Sequence, residues 1–195
     1  MSKNFSRFFK DKIQENILVK KRLDNLIIKK KILKCINVIY NSLSLDGKIL
    51  LCGNGGSAAD AQHLAAEFLV RLRPDVNRKP FPAISLAMDV STITACANDY
   101  SFNNLFSRNL DAIGKKNDIL VALSTSGNSE NILDVLKMAK KKGIFSVAFL
   151  GNSGGKAKNL ADLSIIVPSK STARIQEAHI FLGHIIFEQV EDLLI

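Results

Sequence analysis

Ile49-Leu50-Leu51-Cys52-Gly53-Asn54-Gly55-Gly56-Ser57, continued by Ala58-Ala59-Asp60-Ala61-Gln62-His63-Leu64-Ala65-Ala66-Glu67, is the stretch on which the fold of this chain turns. An apolar run enters a glycine turn and leaves as an alanine-rich helix, the pattern of a βα unit. Gly53, Gly55 and Gly56 permit tight, positive-φ turning and let a ligand lie against bare backbone. Unpaired N–H groups and the dipole at the start of the helix favour an anion at that point. Ser57 is expected to cap the helix and can donate its hydroxyl to a phosphate oxygen. His63 and Glu67, four residues apart, project from one helix face beyond the anion site. One segment therefore offers an anion cradle and a pair suited to metal binding or acid–base work, although an exposed helix ion pair has the same spacing. The loop is not a Walker A loop, since it lacks GK[ST], and Ala58 breaks the GxGxxG dinucleotide pattern.

Working outward, strand and helix alternate. Apolar strand candidates fall at 48–52, 83–86, 119–123, 145–150 and 163–167, with helices near 57–72, 90–98, 102–113, 130–142, 156–160 and 173–194. Apolar strands separated by helices imply an α/β fold whose parallel sheet is covered on both faces, with ligands at the carboxyl ends of the strands. Residues 1–45 read as helical, with one stripe of Phe5, Phe8, Phe9, Ile13 and Ile17 and another of Leu23, Leu26, Ile27, Leu33, Ile36 and Ile39. These two amphipathic helices can cover the sheet or supply an oligomer interface. No internal boundary is visible, so residues 1–195 read as a single domain that includes the 1–45 extension.

Charge and composition narrow the partners. The formal net charge is +9, but the cations cluster as Lys20-Lys21-Arg22, Lys29-Lys30-Lys31 and Lys140-Lys141-Lys142 on helices, without interleaved aromatics. They read as solvated faces, so no nucleic-acid partner is expected. No apolar run is long enough for a membrane span, and Met1-Ser2-Lys3-Asn4-Phe5 opens no signal-peptide core, so no membrane partner is expected. Cys35, Cys52 and Cys96 are odd in number and lack CxxC spacing, which suits free thiols in a reducing cytoplasm.

A second loop repeats the logic of the first. The run 119–123 enters Ser124-Thr125-Ser126-Gly127-Asn128-Ser129 ahead of a helix beginning near Glu130. Uncharged hydroxyl donors at a helix N-terminus can hold a phosphate without a lysine, and one of Ser126, Asn128 or Ser129 must cap the helix in any case. Asn98-Asp99 closes a helical stretch as either polar ligands or a turn. On the final helix, Gln176 and His184 are separated by about 12 Å along the axis and only about 80° in azimuth, so both can face one cavity. His179 lies on another side and reads as structural; His184 too reads as a hydrogen-bonded interior histidine unless a partner such as His63 or Glu67 meets it.

Taken together, Cys52–Ser57 with His63 and Glu67, Asn98-Asp99, Ser124–Ser129, and Arg174-Ile175-Gln176-Glu177 with His184 resemble the sugar isomerase (SIS) domain family, and within it the phosphoheptose isomerases. The resemblance covers nearly the whole chain. It implies a three-layer, flavodoxin-like (Rossmann-like) sandwich with a five-stranded parallel sheet, assembled as a cytoplasmic homotetramer. It implies conversion of D-sedoheptulose 7-phosphate to D-glycero-D-manno-heptose 7-phosphate through an enediol, at the start of nucleotide-activated heptose synthesis for lipopolysaccharide or capsule. It assigns substrate binding to Asn54, Gly55, Gly56, Ser57, Glu67, Asn98, Asp99, Ser124, Thr125, Ser126, Ser129 and Gln176, with Arg71 as a further contact. It assigns one zinc ion per subunit to His63, Glu67, Gln176 and His184, and proton transfer to Glu67 and His184. Ala58-Ala59 and Ala173 depart from the best-known isomerase pattern toward a sister protein that regulates replication by binding the initiator protein. That regulator lacks a histidine at position 184, so the isomerase reading is favoured, with an isomerase of another sugar phosphate as a further alternative.

Overall fold

The computed structural model describes residues 3–87 and 89–195; of the stretch expected to be helical at 1–45, positions 1 and 2 lie outside the described residues. The elements are α1 (Lys3–Leu23), α2 (Leu26–Ser44), β1 (Ile49–Gly53), α3 (Gly56–Leu69), β2 (Ala83–Ser85), α4 (Val90–Asp99), α5 (Leu105–Ile113), β3 (Ile119–Ser124), α6 (Glu130–Lys142), β4 (Phe145–Gly151), β5 (Leu163–Val167) and α7 (Thr172–Leu194). Among the described residues the sheet has five parallel strands in the order β2-β1-β3-β4-β5, the flavodoxin-like arrangement expected.

The uninterrupted apolar character of the strands follows from burial on both faces: every residue of β1 and β3 is buried. Alternation still sorts them. Ile49, Leu51, Val121 and Leu123 pack with α2, α3 and α7 on one side, while Leu50, Cys52, Leu120 and Ala122 pack with α4, α5 and α6 on the other. The three layers are thus written into the period of the strands. All three cysteines are buried and unpaired, and burial pushes the Cys35 thiol up to about 12, so these are packing groups rather than nucleophiles.

Three local expectations are corrected. The helix expected over 102–113 opens instead with a 3-10 turn, Phe102–Asn104, because Ser101 accepts from the Asn103 N–H and tightens the entry. The expected helix at 156–160 is only a 3-10 turn, Lys156–Asn159, entered through two positive-φ glycines, Gly154 and Gly155. The helix expected to run to 72 stops at Leu69, where Arg78 takes the carbonyls of Glu67 and Phe68. By contrast α6 spans 130–142 as expected and ends on Gly143 at φ 67, a left-handed stop that glycine adopts without strain.

His179 is structural, as expected. It is fully buried on α7 beside the Phe149 ring, and burial pushes its pKa down to about 4 from 6.5. The unfolded chain takes up this proton near 6.5 and the folded chain refuses it until near 4. The stabilisation is therefore complete above 6.5 and is lost as pH falls through that window, by about 3 kcal/mol. Urea unfolding of the native protein and of His179→Leu between pH 7 and pH 4.5 should show a flatter pH dependence in the variant. Equal slopes would mean that other groups carry the acid sensitivity.

Candidate active site

The site begins where β1 and β3 end. These strands are neighbours in register, with Gly53 opposite Leu123, so the loops that follow them emerge side by side. The strand order reverses here, which opens a crevice at the carboxyl edge of the sheet. Asn54 and Asn131 close the gap with two reciprocal amide bonds of 2.9 and 2.8 Å. Asn131 is 2% exposed, on the second residue of α6. The sequence marks it only weakly, as a polar side chain beside Ile132, Leu133, Val135 and Leu136, which are buried on the same helix.

The first loop differs in detail from expectation. Only Gly55 of the three glycines has positive φ, at 56°. Gly53 and Gly56 are needed for space: a methyl at Gly53 would stand 2.5 Å from the Ser57 carbonyl oxygen, and one at Gly56 would stand 2.5 Å from Gln176 Nε2. Ser57 is not the cap but a buried residue within the first turn, and Gly55 occupies the cap position without a side-chain bond. The N–H groups of Ser57, Ala58 and Ala59 turn back onto the Asn54 and Gly55 carbonyls. Those three amides are therefore engaged, so the cradle relies more on glycine backbone and hydroxyls than on free helix amides.

In the second loop Ser124 Oγ accepts from the Gly127 N–H at 3.0 Å and Ser126 Oγ from the Asn128 N–H at 3.2 Å. With their lone pairs so used, both hydroxyl protons remain to be donated outward. Ser129 holds the cap position of α6 without a side-chain bond, and Thr125 is half-buried beside it. Both loops thus present hydroxyl and backbone donors without a cation.

From the first cradle α3 leads to a second cluster. His63 Nε2 lies 2.9 Å from His184 Nε2 and 3.1 Å from Glu67 Oε1. One ligand atom from each of His63, Glu67 and His184 falls within 4.8 Å of the others. Burial first, and then repulsion from His63, lowers the His184 pKa despite the pull of Glu67 and Glu188. A neutral imidazole is what metal binding or proton exchange at pH 7 requires. Two ring nitrogens and a carboxylate oxygen match a three-ligand centre with one position left for a further ligand, so these residues could hold a metal ion.

Not every expected residue converges. Gln176 and His184 both face α3, but at different heights: the Gln176 amide lies against Gly56, and His184 meets His63. Gln176 thereby walls the anion cradle, about 10 Å along α3 from His63. Asn98 bonds to Asp99 at 2.8 Å, and Asp99 lines a cavity of about 510 Å³ with Tyr100 and Arg108 between α4 and α5. Arg71 donates to the Pro74 carbonyl at 2.9 Å. Arg174 and Glu177 pair with each other and reach Glu15 and Asn16 of α1.

The SIS domain profile matches residues 18–151 of this chain. Phosphoheptose isomerase of Clostridium acetobutylicum is 46% identical over 186 residues, covering 94% of this chain and 93% of that protein. The chain belongs to the phosphoheptose isomerase branch of the SIS domain family. Structures agree with sequence. Phosphoheptose isomerase from Neisseria gonorrhoeae superposes with a TM-score of 0.89 at 36% identity, over 96% of this chain and 99% of that one. A phosphoheptose isomerase from Francisella tularensis gives 0.91 at 33% identity, over 98% and 100%. In this SIS domain the first glycine loop and the His63–Glu67–His184 cluster share one helix, α3, and the second loop emerges beside the first at the end of the neighbouring strand.

Proposed function

We propose that this protein isomerises D-sedoheptulose 7-phosphate to D-glycero-D-manno-heptose 7-phosphate, in the synthesis of activated heptoses for lipopolysaccharide or capsule. The observation that carries this reading is the placement of an acid–base cluster two turns down α3 from an anion cradle. Phosphate held by Ser57, Ser124, Thr125, Ser126 and Ser129 sets the distal end of an open-chain sugar, while Asn54, Gly55, Gly56 and Gln176 line its approach. The separation of about 10 Å leaves the carbonyl end near Glu67.

Aldose–ketose exchange moves one proton between adjacent carbons and another between their oxygens. Glu67 removes the carbon-bound proton and returns it to the neighbouring carbon. His184, kept neutral by burial, passes the second proton between the two oxygens. A zinc ion held by His63, Glu67 and His184 would supply a positive charge to polarise the carbonyl and steady the negative charge that develops on oxygen. Gln176 belongs to this reading as a substrate contact, with Asn98, Asp99 and Arg71 as outer contacts that approach in a closed or assembled state. His184 also favours the enzyme over the initiator-binding alternative, because its ring meets His63 rather than filling space in a core.

The same reading includes a cytoplasmic homotetramer folded as one domain over residues 1–195. Phe8, Phe9, Ile13 and Ile17 on α1 and Leu26, Ile27 and Leu33 on α2 are exposed apolar groups that a second copy would cover. Among the described residues no helix is long and apolar enough to cross a membrane.

Turnover of sedoheptulose 7-phosphate before and after chelator treatment, followed by return of zinc, tests the reading. Turnover should fall at least about tenfold on chelation and recover with zinc. Activity indifferent to chelator would remove the metal and keep the isomerase, and no turnover from folded protein would remove both.

A further inference from the structure

Arg78, in the connection between α3 and β2, has a side chain only 3% exposed. Each of its three guanidinium nitrogens is nevertheless engaged. Nη2 donates to the Glu67 carbonyl at 2.8 Å, Nη1 donates to the Phe68 and Lys79 carbonyls at 3.0 Å each, and Nε donates to Glu191 Oε1 at 2.5 Å. The Glu67 and Phe68 carbonyls belong to the last turn of α3, where the helix itself offers no partner and its negative pole attracts a cation. Glu191 is 2% exposed and lies on α7, seven residues beyond His184. Its other oxygen accepts from Arg73 Nε at 2.7 Å, and Arg73 also pairs with Asp192 at 2.5 Å.

The helix that carries His63 and Glu67 is thereby fastened to the helix that carries His184, and the fastening grips the peptide of Glu67 itself. Apolar contact between the two helices sets their distance: a methyl at Gly183 would stand 2.6 Å from Leu64 Cδ2. Such contact is non-directional and resists sliding weakly. A buried, charge-assisted fork with fixed angles resists it strongly. We propose that Arg78 and Glu191 are positioning residues of the active site, setting the axial register of α3 against α7 and so the placing of Glu67 against His184. The inference rests on the reading of Glu67 and His184 as the acid–base pair.

Arg78→Lys keeps the charge but cannot reach the Glu67, Phe68 and Glu191 oxygens with one nitrogen, and Glu191→Gln keeps the shape without the charge. Each should lower kcat about 10- to 100-fold with little change in KM, and weaken binding of cobalt(II), titrated into the metal-free full-length protein and read by its visible absorption, by a similar factor. Asp118→Asn is the control. It breaks another buried pair, Lys48–Asp118 at 2.6 Å, at the amino ends of the strands away from the site. It should lower Tm while leaving kcat and cobalt(II) binding near native values. Equal losses in Glu191→Gln and Asp118→Asn would overturn the proposal, as would native kcat and cobalt(II) binding in Glu191→Gln. Should the single variants fail to fold, Arg78→Met with Glu191→Leu replaces the pair by apolar packing; native kcat from that protein would overturn the proposal, and a folded protein of low kcat would support it. Weakened cobalt(II) binding in Glu191→Gln alongside a native protein inert toward the sugar phosphate would overturn the substrate reading and retain the positioning role.

Discussion

Glu67→Gln should lower kcat for sedoheptulose 7-phosphate by about 10²- to 10⁴-fold, the range over which a positioned general base acts. Glutamine keeps the volume and an oxygen that can accept from His63 Nε2, now 3.1 Å from the carboxylate, so packing of α3 against α7 is preserved. What it loses is the basic oxygen to which the proposed mechanism assigns the carbon-bound proton. The variant should therefore also fail to exchange that proton with deuterium from solvent, a step that precedes product formation. Urea midpoints should shift little, because Glu67 is half-buried and its carbonyl bond to Arg78 is a backbone bond. Native exchange and turnover in a folded variant would return the His63–Glu67 pair to an ordinary helix ion pair.

How far the sequence foretold this arrangement depends on the kind of interaction. The five strands and the helix at 130–142 were legible because burial imposes a period on apolar residues, and period survives without knowledge of the tertiary structure. The His63–Glu67 pair was legible because both sit on one helix. His184 by itself reads as an interior histidine and becomes a candidate only through the family resemblance, because its contact with His63, 121 residues away, depends on how α7 crosses α3. The helix ends were misjudged for the same reason: Leu69 ends α3 because Arg78 returns from a later loop to its carbonyls. Asn131 and Arg78 are not legible in sequence, since each is defined by partners that the fold brings to it and carries no local pattern. Residue preference favours Ser57 as the cap, whereas Gly55 takes the position through its positive φ, which serine avoids.

Gly127→Ala should reduce kcat/KM about 10²-fold, with much of the loss in substrate affinity. Gly127 has φ +66°, and an added methyl would drive into the carbonyl oxygen of Gly154. Gly155 faces the same constraint from the other side, since its own Cβ would stand 2.5 Å from the Ser126 carbonyl oxygen. Two chain segments thus lie backbone to backbone, held by the Ala157 N–H on the Gly127 carbonyl at 2.9 Å and the Lys156 N–H on Asn128 Oδ1 at 3.0 Å. Backbone cannot swing aside as a side chain does, so the loop that carries Thr125, Ser126 and Ser129 must move. Displacement of about 1 Å in a site that works by positioning costs about 10²-fold. Gly143→Ala separates strain from collision. Gly143 has nearly the same φ, +67°, with nothing within 4 Å of the added methyl and a location at the far end of α6. That variant should lose about 1–2 kcal/mol of stability through left-handed strain alone and keep native kcat/KM. If both variants lose stability alike and both keep native kcat/KM, the second loop does not hold the phosphate.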